Sequence, residues 1–222
     1  MNFVKAIAAV FSKDLQTELR SRYALNTILA FVGASLLLIL FTLKAEQLPP
    51  TAQSGLIWII ILFAALSSLS RSFVMETERQ TFDLLRLNFE ASEVFIGKLC
   101  YNFAFALAVN ILTFMCYLFL LDIPIADNIA LVLTLVLGTA GLSGIATLLA
   151  AIVAQADRKG AIFSVLGIPL LFPLILILVR TTKAALLEGL TQNYFNDFWA
   201  LFGFAGVTIS AGILLFDFIW EE

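Results

Sequence analysis

The stretch from Met75 to Glu90 holds the densest set of reactive side chains in the sequence: Glu76, Glu78 and Asp83, with Arg79 and Thr81 between them. Carboxylates so close together can serve as general acid and base if a nucleophile or a second proton carrier stands near. The sequence supplies no such companion. Its 222 residues contain no histidine, the commonest metal ligand and the usual base near neutral pH. The two cysteines, Cys100 and Cys116, fall in one apolar run; on a single helix they would stand about 24 Å apart, too far to bridge. They read as apolar filler. No G-x-x-x-x-G-K-[ST] loop occurs, so the chain lacks that cradle for ATP phosphates. The acidic stretch is therefore read as a charged helix, and neither a catalytic residue nor a metal site is expected.

Two other groups invite a functional reading. Ser67, Ser70 and Arg71 close an uncharged run. They either line a polar cavity or leave Arg71 to snorkel toward lipid phosphates. Pro169 and Pro173 stand four apart inside another apolar run, where they remove backbone donors and should kink or break a helix. A broken helix facing the bundle can line a pathway, and a proline kink can equally serve packing.

The elements that carry these groups follow from composition. Hydrophobic residues make up 61% of the chain and charged ones 13%, with a mean hydropathy of +1.01. Soluble domains carry about 25% charged residues. Six uncharged runs, 23–43, 47–70, 99–121, 128–156, 160–179 and 198–216, span 19 to 29 residues each. A bilayer-crossing helix needs about 20. The sequence thus predicts an all-α integral membrane protein of six transmembrane helices, one membrane domain over 1–222. With the N-terminus inside, ten of the thirteen lysines and arginines fall in inside segments and only Lys44, Arg180 and Lys183 outside. That bias places both termini in the cytoplasm. The net charge of −3, without a long basic tract, argues against a nucleic-acid partner.

Residues 1–22 read as an amphipathic helix lying in the cytoplasmic interface, with Phe3, Val4, Ile7, Val10, Phe11 and Leu15 as its apolar stripe. Asp14 and Glu18 intrude on that stripe. Tyr23, Trp58, Tyr194, Trp199 and Trp220 are expected to anchor span ends in the interface. The inside connection 75–97 should hold a short helix whose acidic start suits a helix N-terminus, with Ser92 as N-cap of the next span. Phe82, Leu85 and Phe89 form its apolar ridge. The ridge packs on the membrane surface or the protein's own spans, or it docks a cytoplasmic partner, and the pattern favours neither reading. Gly138, Gly141 and Gly144 read as a close-packing face.

Taken together, these features resemble the ABC-2 class of ABC-exporter permeases, whose acidic coupling segment is similar to Glu76-x-x-x-x-Thr81-Phe82-Asp83-x-Leu85. More specifically the chain resembles the CcmB family of the cytochrome c maturation system. Four local matches carry the likeness: Gly55-Leu56-Ile57-Trp58, Thr81-Phe82-Asp83-x-Leu85, Gly138-Thr139, and Lys159-Gly160 ahead of Ile168-Pro169-x-x-x-Pro173. Gln80 stands where the coupling segment usually carries glycine.

The resemblance implies a non-catalytic permease subunit in the bacterial inner membrane, working as a homodimer. It couples a separate cytoplasmic ATPase (CcmA-like) to haem export or to release of a haem-loaded chaperone. The implied partners are that ATPase, a haem-handling membrane subunit (CcmC-like) and a periplasmic haem chaperone (CcmE-like). ATP belongs to the partner, and haem is cargo of the complex rather than a cofactor of this chain. Glu76, Glu78, Arg79, Thr81, Phe82, Asp83 and Leu85 would form the coupling segment. A permease for a lipid or glycan is the alternative within the same class.

Overall fold

The computed structural model describes the backbone of residues 2–42, 48–69, 71–78, 80–154, 159–188 and 192–221, and their side chains apart from those at 67–69, 71–72, 78, 159–166, 188, 192–193 and 221. The described residues form helices joined by short connections: α1 Phe3–Ser21, α2 Tyr23–Thr42, α3 Pro50–Leu69, α4 Arg71–Glu78, α5 Phe82–Asn88, α6 Ala91–Leu120, α7 Asn128–Ala154, α8 Lys159–Lys183 and α9 Gln192–Glu221. A π-helical turn, Ala184–Glu188, prolongs α8.

Five of these, α2, α6, α7, α8 with its extension, and α9, are long and apolar enough to cross a membrane. Six had been expected. The expected second span is helical as α3, but its described apolar part, Pro50–Leu66, is shorter than the other five.

The axis of the bundle is α7, which packs on α6, α8 and α9. Its apolar stretch is 67% buried, against 22% for α2 and for α9. The small residues read as a packing face lie at its closest approaches. A Cβ at Gly138 would stand 2.4 Å from Leu178 Cδ2 and 3.0 Å from Trp58 Cη2, and one at Gly144 would stand 2.9 Å from Thr208 Oγ1. Trp58 is therefore not an interfacial anchor as expected. It is fully buried and its indole N–H donates to Thr182 Oγ1 at 2.7 Å. A buried indole needs such an acceptor.

At one end of the bundle the connections knit together. Tyr117 Oη donates to the Gln53 carbonyl at 2.8 Å, and the N–H groups of Ala126 and Asp127 both donate to the Ala185 carbonyl, at 3.1 and 2.9 Å. Asp127 then caps α7, its Oδ1 accepting from Ile129 and Ala130. The opposite end, here called the hairpin end, gathers α1, α4, α5, the start of α6 and the end of α9.

Two sequence expectations change at this end. The helix α6 starts at Ala91 with Glu90, not Ser92, at the N-cap, because Glu90 and Glu93 close a reciprocal capping box. The expected stripe of α1 is split. Ala6 and Val10 are buried, Val10 fitting so tightly on Gly97 that a Cβ there would stand 2.7 Å from Val10 Cβ, while Phe3, Val4, Leu15 and Leu19 are exposed. Arg22, at φ 50, ends α1 with its N–H bonded to the Glu18 carbonyl. The Glu18 carboxylate accepts the Leu25 N–H at 2.9 Å, so it caps the first turn of α2. The acid that seemed to spoil the amphipathic pattern joins two helices.

Candidate functional site

The helix α4 turns Phe73 and, one turn later, Glu76 toward the bundle. Phe73 packs on Phe216 of α9 with ring centroids 5.1 Å apart. Glu76 meets Lys98 of α6, which has no exposed surface. The Lys98 ammonium lies 3.2 Å from Glu76 Oε1, 3.0 Å from Asp14 Oδ2 of α1, and 5.0 Å from the centre of the Phe73 ring. Lys13 of α1 also pairs with Glu76 and lies 3.4 Å from Asp14. The Thr81 hydroxyl donates to Glu76 Oε2, and the Thr81 N–H to the Glu76 carbonyl at 2.9 Å. Two acids and two bases from α1, α4 and α6 thus neutralise one another, and the α5 N-terminus hangs from the same carboxylate.

Isolated charges out of water are costly, and this arrangement compensates each one. Burial by itself would raise the carboxyl pKa of Glu76. The charge of Lys98, the bonds from Lys13 and Thr81, and the charge of Lys13 outweigh it and lower the pKa from 4.5 to about 2. The acid stays ionised throughout the physiological range. It sits in the last turn of α4, where the carbonyl end of the helix disfavours a carboxylate, not at a helix start as the sequence suggested. Chemically the cluster holds elements together, with each carboxylate shared between the two ammonium groups.

The next helix, α5, presents its two faces to different surroundings. Leu85 is buried, and Phe82 stacks on Trp220 of α9 at 5.2 Å. The Arg86 guanidinium covers both rings, 5.0 Å from Phe82 and 5.7 Å from Trp220, and its Nη2 donates to the Ile219 carbonyl at 3.5 Å. The apolar ridge therefore packs on the protein's own spans. On the opposite face Asp83 is exposed, and Leu84 and Leu87 are 60% and 80% exposed. Gln80, between the two short helices, has φ 54, the left-handed region where glycine is at ease. That is the position where the resembling coupling segment carries glycine.

Of the residues singled out in the sequence, Glu76, Thr81, Phe82 and Leu85 come together on the inner side of the hairpin, and Asp83 faces outward. Ser70 and Arg79, and the side chains of Ser67, Arg71 and Glu78, lie outside the described residues. Pro169 and Pro173 lie on α8, which contributes no residue to the cluster's ion pairs. The helix α8 continues through both, and both are exposed, while Gly167, Leu171, Leu174 and Leu178 fill its buried face. Of the expected kink or break no break occurs, and in this chain both rings lie on the exposed side rather than toward the bundle. At positions 169 and 173 the ring sits on the outer side, and each missing N–H leaves the carbonyl four residues back without its helix partner.

Lys13, Asp14, Lys98, Arg86 and Trp220 were missed as members of the site. The available signals were Asp14 interrupting an apolar stripe and Lys98 standing at the border of an uncharged run.

The fold and this end define a class: an all-helical, multi-pass membrane protein with a hairpin of short helices tied beneath its spans. The family model described as CcmB protein matches residues 5–217. Over 169 residues the chain is 30% identical to Heme exporter protein B of Rhodobacter capsulatus, covering 74% of this chain and 77% of that protein. The chain belongs to the CcmB family.

Proposed function

We propose that this chain is the membrane subunit of an ABC transporter complex of c-type cytochrome biogenesis. It hydrolyses no ATP itself. It couples a separate cytoplasmic ATPase to haem export or to release of a haem-loaded periplasmic chaperone, beside a haem-handling membrane subunit. Six spans lie in the bacterial inner membrane with both termini cytoplasmic, and two copies form a homodimer. The observation that carries this reading is the family match across residues 5–217, supported by a relative named Heme exporter protein B.

In this reading the ATPase engages the α4–α5 hairpin. Glu76 and Leu85 turn into the bundle, so the face offered is Asp83, Leu84, Leu87 and Asn88. Burying a leucine side chain is worth about 1.5–3 kcal/mol, enough for two leucines to dominate the contact. Phe82 acts from behind, through Trp220. The test is affinity purification from membranes in mild detergent, scored by ATPase recovered per chain and by cytochrome c assembly in cells. Replacing both Leu84 and Leu87 by alanine should lower the recovered ATPase at least tenfold with insertion unchanged. Wild-type recovery and normal assembly would show that the hairpin is not the coupling element. Topology is tested in a cysteine-free chain: cysteines at Gln47 and Glu188 should be labelled from outside, and those at Glu90 and Arg158 from inside.

A further inference from the structure

The charge cluster at the hairpin end has a geometry that mere stability does not require. Apolar contacts already seat α1 on the bundle: Ala6 and Val10 are buried, and Val10 closes on Gly97 of α6. Among the described residues α1 packs mainly on α6 and α2, while α4 packs mainly on α7 and α3. A direct bond from α1 to α4 is the Lys13–Glu76 ion pair, and Lys98 bridges the same two helices by holding Asp14 and Glu76 on one ammonium. Buried ion pairs are seldom more stabilising than apolar residues of the same volume, and their best-attested use is to fix register.

We infer that Lys98 is a positioning residue for coupling: through Asp14 and Glu76 it locks α1 and the hairpin into one body, so that a displacement of the hairpin carries α1 with it. The inference rests on the reading in which the hairpin meets an ATPase. Thr81 extends the lock into α5, since its hydroxyl and N–H both bond to Glu76. The exposed side of α1, with Val4, Leu15 and Leu19, moves with the lock. A push on Leu84 and Leu87 therefore arrives at a second apolar surface, on another helix. Without Lys98, two carboxylates face one ammonium, that of Lys13, and the joint opens.

The experiment uses the full chain with Cys100 and Cys116 replaced by alanine and spin labels at Gln16 and Asn88, which lie on α1 and at the end of α5 and are exposed. Electron–electron resonance on the chain alone should give one narrow distance distribution. Lys98→Met and Glu76→Leu should each at least double its width, and Lys98→Arg, which keeps the charge, should restore it. In the complex, both disrupting variants should retain the ATPase at the wild-type ratio yet lower cytochrome c assembly at least tenfold, with Lys98→Arg recovering half or more. A narrow distribution in both disrupting variants overturns the proposal, and so does a broadened one with wild-type assembly. If Lys98→Met fails to accumulate in membranes, Glu76→Leu, which leaves Lys98 paired with Asp14, decides by the same readouts. A wild-type chain that retains no ATPase would instead sink the functional reading, leaving the spin-label result to stand by itself.

Discussion

Two polar regions of this bundle are built by different means. Between α6 and α7, Asn102 Nδ2 donates to Thr147 Oγ1 at 2.8 Å and Asn110 Nδ2 to Thr139 Oγ1 at 2.9 Å. These are neutral groups on two helices that already pack together. At the hairpin end, full charges join α1, α4 and α6. A neutral bond inside a span adds little to a contact that apolar packing has made, and the chain finds other partners when it is lost. A buried charge is different, because losing its partner leaves an ion that nothing nearby can solvate. The contrast separates polar residues that thicken an interface from those that decide where an element sits.

The strongest way to break the comparison is to remove Lys98. Lys98→Met should destabilise the chain by about 3–5 kcal/mol, the range for leaving a buried charge unpaired. Lys13→Met should cost about 1 kcal/mol or less, since that ammonium is 40% exposed and both carboxylates keep Lys98. Reversible unfolding in detergent measures both, and equal losses would erase the distinction between a buried and a peripheral ion pair. Acidification gives the next effect. The Glu76 carboxyl has a pKa of about 2 when folded against 4.5 ordinarily, so its stabilisation is complete above pH 4.5 and is lost as pH falls through 2. The unfolding midpoint should drop within that window, and Glu76→Leu should flatten the drop.

Weaker still, Asn110→Leu should cost roughly 0.6 kcal/mol and no more than about 1.7, the range for hydrogen bonds between membrane helices. A loss as large as that of Lys98→Met would mean that the neutral pair also fixes position. The smallest effect should be a gain. Gln80→Gly relieves a left-handed residue, worth roughly 1–2 kcal/mol, and returns about half of that as glycine chain entropy. Unfolding should shift upward by up to about 1 kcal/mol, and a loss would show that the Gln80 side chain stabilises the hairpin turn.

Five spans were legible in the sequence because freedom from charge over 19 or more residues is a one-dimensional property. The run 47–70 meets the same rule, yet the described apolar part of its helix, Pro50–Leu66, is shorter than the other five. The partners of the charge cluster were not legible. Lys98 is 84 residues from Asp14 and 22 from Glu76, and in sequence it reads as one more inside base. Asp14 and Glu18 looked like defects of a stripe because helical periodicity records one face only. Here α1 has two, one turned to the bundle through Ala6, Val10 and Asp14, the other carrying Val4, Leu15 and Leu19 outward. The ridge Phe82, Leu85, Phe89 was correctly seen as apolar, but an apolar stripe does not name what covers it. Trp220 and Arg86, which cover much of it, lie on α9 and on α5 itself.

The Lys98–Asp14 bond also sets an order of events during synthesis. At about 5–20 residues per second, the 84 residues between the two partners take on the order of 4–17 s to emerge from a ribosome. For that interval α1 lacks its seat on α6, and Asp14 lacks the Lys98 ammonium, while α2 to α5 are being made. The arrival of the first turns of α6 supplies both Gly97, against which Val10 closes, and Lys98, which gathers Asp14 and Glu76. Although α1 precedes every other described helix, it is fastened only once the start of α6 has been made.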